Sequence, residues 1–359
     1  MVRTVKHFSL HRIAGTELRV VADIEVGPLP VIQAEESVIR GYARQALWPH
    51  ESVTLLILQD LKPLVRQLRA GTELPPGGAA AHSRRPVVNA YDLADMASCH
   101  VFVNWRALVK EGYADDPVAI EGLLAHEHAH PLAENDATRA SRCLKLRMSV
   151  QNWPPSLAGA PDDGGQHVRS APGQPGDRRA KLQRLLVLLA EKLALYGPRE
   201  IFANEQAIAG GFAECLHHLD QRTVANAVTG VAGREALRQQ LLQEVDRGTL
   251  TSPAVDLLLL IGDLRGYVDL AMEVAPFCRA GRPDEARGLE GVLEAEIFPH
   301  LDAEVPRLYG LLRDHYVALR ADSTPDELMI WAEGVLAALA QTLAARGLVL
   351  RPALRMAAR

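Results

Sequence analysis

Residues 153–177, WPPSLAGAPDDGGQHVRSAPGQPGD, constrain this chain more than any other stretch. A segment so rich in proline and glycine and so poor in large aliphatic side chains cannot bury enough apolar surface to order itself. It divides 359 residues into two stretches, each long enough for a core of its own. The expected organisation is an α/β half over 1–152, a mobile loop or linker over 153–179, and a mainly helical half over 180–359.

The two halves are patterned differently. In the first, residues 18–26 (LRVVADIEV), 53–58 (VTLLIL) and 100–105 (HVFVNW) are β-branched and aliphatic at strand length. Helical spacing shows at 61–68, and the glycine- and proline-rich residues 71–86 read as a loop. Residues 116–130 carry a helix start, with Asp116 as N-cap, Pro117 at the first position, and Ile120, Leu123 and Leu124 on one side. Beyond the break, residues 181–196 have leucines at helical spacing up to an interruption at Gly197-Pro198. The last helix opens on Thr324, Pro325 and Glu327, a capping box, runs a stripe through Leu328, Trp331, Val335 and Leu339, and stops at Gly347. The fold class expected is α+β: a small mixed sheet with one distinctive helix, then helices.

Composition removes several function classes. Net charge is −5, from 39 basic and 44 acidic side chains, which offers neither a nucleic-acid footprint nor a polybasic membrane anchor. Aromatic residues are 5% of the chain, too few for a base-stacking surface. Cys99, Cys143, Cys215 and Cys278 form no CxxC pair, so neither a zinc ribbon nor a disulfide framework is indicated. The first fifteen residues lack the apolar core of a signal peptide, and the longest apolar run, 255–262, reads as a core helix segment. A cytoplasmic protein in a reducing compartment is expected. No glycine string makes a phosphate loop, and no serine stands in a GxSxG elbow.

Histidine is the residue type that stands out, with 13 copies, and three of them fall in His126-Glu127-His128-Ala129-His130. This is HExxH. On a helix, positions i and i+4 share a face, so His126 and His130 can direct ring nitrogens at one metal ion, while Glu127 reaches a water from the side. That is the geometry of a zinc hydrolase. His128, on the opposite side, reads as a packing or hydrogen-bonding residue.

At these residues the chain resembles the zincin metallopeptidases. The resemblance implies a strand at the rim of the substrate cleft shortly before the metal helix, a place taken by 100–105. A catalytic zinc commonly has three protein ligands. In the gluzincin branch the third is a glutamate on a later helix, in an ExxA[DN] pattern that Glu200-Ile201-Phe202-Ala203-Asn204 fits. Glu200 near a helix N-terminus is favoured as a carboxylate, and Asn204, one turn on, is placed to hydrogen-bond a ligand. Two alternatives stay open for the third ligand. Glu205 follows Asn204 as in thermolysin-like enzymes, although Ala209 stands where a further acid is expected. Asp136 aligns with the third ligand of the metzincin pattern, although Ala133 replaces its glycine.

The supporting roles are less sharply marked. Tyr196 is the first candidate for the donor to a developing oxyanion, followed by His217 and His218. Glu134 and Asp136 read as partners of the ligand imidazoles or as solvated charge. Pro131 disfavours helical geometry at His130, so the metal helix is expected to end or kink there. The resulting expectation is a zinc-dependent metallopeptidase, with His126, His130 and Glu200 holding Zn2+ and Glu127 as general base. It would act on a peptide or protein and have no nucleic-acid or membrane partner. The alternative is a non-catalytic binding or regulatory protein that keeps a zincin fold and a metal site.

Overall fold

The computed structural model describes residues 4–25, 28–64, 84–92, 95–134, 156–158, 185–186, 188–346 and 349–351. The chain is of mixed α+β class and divides into two units, one formed by 1–137 with 203–222 and the other by 138–202 with 223–359. Of residues 153–179, only 156–158 are among those described.

Five strands build the sheet of the first unit: β1 (His7–Ile13), β2 (Thr16–Ala22), β3 (Ser52–Leu58), β4 (Val87–Tyr91) and β5 (Ser98–Asn104). Their order is β1-β2-β3-β5-β4, with β2, β3 and β5 parallel and both flanking strands antiparallel to their neighbours. The β1–β2 hairpin turns at Ala14-Gly15, both at positive φ (49° and 93°), as a two-residue hairpin turn requires. In the inner strands the alternation sends Leu18, Val20, Val53, Leu55, Ile57, Val101 and Val103 to one fully buried face.

Three sequence expectations are redrawn here. Strand β1 and strand β4 went unread, because β1 is interleaved with polar and basic residues and β4 is short and follows the glycine-rich stretch. Residues 100–105 do form a strand through Asn104, but it lies inside the sheet between β3 and β4, so β4 and not β5 is the edge. Trp105 begins helix α2 (Trp105–Lys110), with the Asn104 side chain as its cap.

Helix α1 (Pro28–Arg44) and helix α3 (Pro117–Glu134) pack together in the first unit. Ser37 Oγ donates to Glu121 at 2.6 Å, and the buried Tyr42 hydroxyl donates to the Ala125 carbonyl at 2.8 Å. Asp116 caps α3 as expected, accepting from the Ala119 amide at 3.0 Å.

Helix α3 does not stop at His130 but continues through Pro131 to Glu134. Pro131 has no N–H to offer the Glu127 carbonyl four residues earlier. The Asn89 side-chain amide, reaching in from β4, donates to that carbonyl instead. The proline's missing bond is thus replaced from the sheet.

Helical residues before Tyr196 likewise pass through Gly197-Pro198 without interruption. A π turn, Lys192–Tyr196, leads directly into α4 (Gly197–Ala207), with the Gly197 amide bonded to the Lys192 carbonyl. The wider turn shifts the hydrogen-bond ladder by one residue ahead of Pro198. In the second unit, the Leu193 carbonyl in that turn accepts from the fully buried Tyr316 hydroxyl at 3.0 Å.

A second π turn, Ile208–Phe212, joins α4 to α5 (Ala213–Asp246) and bends at Gly211, where φ is 88°. Among the described residues, further α-helices of the second unit are α6 (Ser252–Tyr267), α7 (Ala271–Arg279), α8 (Pro283–Val292), α9 (Glu304–Val317) and α10 (Pro325–Ala344). The expected capping box opens α10, with the Glu327 amide on Thr324 Oγ1 at 3.3 Å and the Thr324 amide on Glu327 Oε2 at 2.6 Å. By length and composition α10 could cross a membrane, but half of its apolar window is buried in the protein, the pattern of a core helix. Its stop signal, Gly347, lies outside the described residues.

Candidate metal centre

Helix α3 carries the HExxH residues in its last three turns. His126 is half-buried, while Glu127 and His130 are buried, and the two imidazoles meet edge to face with centroids 4.7 Å apart. The spacing read from the sequence therefore does place both rings on one side of one helix.

Helix α4 supplies the complement. The boundary between the two units falls within this helix, between Phe202 and Ala203, so its residues on either side belong to one continuous element. The buried Asn204 presents Oδ1 to His126 Nδ1 at 2.5 Å. With Nδ1–H donating to the amide oxygen, Nε2 is the nitrogen through which His126 would ligate. Glu200 sits one turn earlier on the same helix. Ligand atoms of His126, His130 and Glu200 lie within 4.8 Å of one another. Around a tetrahedral zinc, nitrogen and oxygen donors sit roughly 3.4 Å apart. Two imidazoles and a carboxylate are also a donor set suited to zinc.

The other candidates divide. Tyr196 closes the π turn and is 39% exposed. His218 Nε2 donates to Asp116 Oδ2 at 2.8 Å and so supports the N-cap of α3. Although partial burial works the other way, this bond, the Ala119 amide and Arg222 hold the Asp116 carboxyl below its usual range. His217 lies next to it on α5, half-buried. Glu205 is half-buried on α4 and absent from the group that gathers Glu200. Asp136 and the side chain of Glu134 lie outside the described residues.

His128 is a hydrogen-bonding residue, as its position on the other side of α3 suggested. Its Nε2 donates to Glu35 Oε1 on α1 at 2.7 Å, both side chains fully buried. Burial alone would lower its pKa, but the Glu35 carboxylate and the neighbouring Cys99 more than offset this and lift it to about 10. Asn89, which secures the Glu127 carbonyl, went unread altogether. Only the proline four residues after Glu127 hinted that such a donor was needed.

No protein-family model, curated protein or solved structure matches this chain.

Proposed function

We propose that this protein is a zinc-dependent metallopeptidase of zincin type, closest in its ligand pattern to the gluzincins. The single observation that carries the reading is the His126–Asn204 hydrogen bond. It joins the HExxH helix to the helix of the EIFAN motif, which is what a ligand set drawn from those two motifs requires.

In this reading His126, His130 and Glu200 hold the ion. Zinc bound there supplies Lewis-acid activation of a water molecule and of a carbonyl group. Glu127 takes up the proton on its carboxylate and passes it to the leaving amine. Asn204 keeps the His126 ring in the tautomer and orientation for binding. Tyr196 is the candidate phenol donor to oxygen charge that develops during attack. The substrate class is a peptide or protein. A reducing compartment such as the cytoplasm accords with the thiols of Cys99, Cys215 and Cys278, which are all free.

The test pairs metal analysis with cleavage of a mixed peptide library. Glu127→Gln should retain one equivalent of zinc at this site while losing about 10²–10⁴-fold in hydrolysis. Undiminished cleavage by that variant would refute the assignment of the base. A wild-type protein that binds zinc but cleaves nothing in the library would support a binding or regulatory protein instead.

A further inference from the structure

Within the first unit, a second group of metal-ligating side chains lies on the far side of α3 from the HExxH face. We infer that His50, Cys99 and His128 form a buried structural zinc site, separate from the candidate catalytic centre. Ligand atoms of all three lie within 4.8 Å of one another, and the residues are 3%, 1% and 0% exposed.

The hydrogen bonds around the group leave its ligating atoms pointing inward. His50 Nδ1 donates to the Met96 carbonyl at 2.6 Å, and His50 Nε2 is buried without a hydrogen-bond partner. His128 Nε2 donates to Glu35, and its buried Nδ1 has only the Cys99 thiol of the same group for company. Each imidazole thus has one nitrogen committed to an acceptor outside the group and the other turned toward the group, where His128 also meets the Cys99 thiol. A buried orphan such as His50 Nε2 is rare and costly. A ligating histidine commonly gives its other N–H to a carbonyl or carboxylate, an arrangement that both rings display here.

The third donor is a thiol. Cys99 Sγ comes from β5, where Cys99 pairs with Val53 of β3, three residues after His50. Two imidazoles and a thiolate favour zinc over the harder cations. The Trp48 ring centroid stands 4.9 Å from those of both imidazoles. Full burial leaves no path for substrate exchange, and a tetrahedral ion would take a fourth donor beside these three. Its effect would be to fasten the HExxH helix to β5 and to the residues that lead into β3.

The inference stands independently of the peptidase reading, and its test separates the two. The full-length protein is prepared as wild type, as His126→Ala/His130→Ala, and as Cys99→Ser, and each is loaded with zinc and, separately, with cobalt(II). The double variant should still hold one equivalent of zinc and, with cobalt, show the near-ultraviolet thiolate charge-transfer band. Cys99→Ser should lose the band and one equivalent. Chelation should lower the melting temperature of the double variant by several degrees. The wild type should bind two equivalents if both sites are real, and one, with the thiolate band, if only this one is. A double variant that takes up no metal and shows no thiolate band overturns the inference, even if Cys99→Ser fails to fold. In that case the group is a metal-free imidazole–carboxylate cluster.

Discussion

Among single residues, Asn204 carries the most consequence for the candidate centre. Its side chain is buried and its oxygen is committed to His126. Removing such an outer partner typically costs 10–100-fold in metal affinity. Asn204→Ala is therefore expected to weaken zinc binding at His126 and His130 by that factor, measured by chelator competition, with little change in far-ultraviolet circular dichroism. An unchanged affinity would remove Asn204 from the site. This residue was legible in the sequence because a helical repeat of four places it on the same face as Glu200. The partners of His128 were not. Glu35, His50 and Cys99 are separated from it by up to 93 positions, and only the folded chain shows that their polar atoms converge.

The elements show a similar division. Helix α3 and the box that opens α10 were readable because caps and apolar stripes are local signals. The continuation of α3 past Pro131 was not, because its support comes from another strand. That support makes a clean test. Asn89→Ala leaves the Glu127 carbonyl without its donor, at an expected cost of about 1–2 kcal/mol. In a Pro131→Ala background the restored amide can take the same carbonyl, so the cost of Asn89→Ala should shrink by about 1 kcal/mol. Urea melts of the four proteins give the coupling, and strictly additive effects would refute the substitution of one donor for the other. The interior placement of β5 was illegible for a related reason. A strand of aliphatic residues reads the same whether its neighbour on one side is solvent or β4.

At the scale of the whole molecule, the first unit is assembled from two separated parts of the sequence, 1–137 and 203–222. The later segment is held by close packing. A Cβ on Gly41 would stand 2.3 Å from the Phe212 ring, and one on Gly122 would stand 2.6 Å from the Cys215 carbonyl, so α1 and α3 approach this segment as only glycine allows. A fragment ending at residue 152 should therefore fail to melt cooperatively, whereas the intact chain should melt with a sharp transition in scanning calorimetry. A cooperative fragment would show that the later segment is dispensable. In sequence, 203–222 has the same helical character as everything around it. Composition marks where the character of a chain changes, but the contacts of Asn204, Phe212 and Cys215 decide where this segment packs.

The same discontinuity has a timetable. Residues 138–202 must be made after the HExxH helix and before its partner segment, which is 202 − 137 = 65 residues of synthesis. At roughly 5–20 residues per second, that is about 3–13 s on the ribosome. Throughout that interval His126 has been translated but Asn204 has not. Metal delivered to the nascent chain would meet His50, Cys99 and His128 first, all of which are translated before that interval begins.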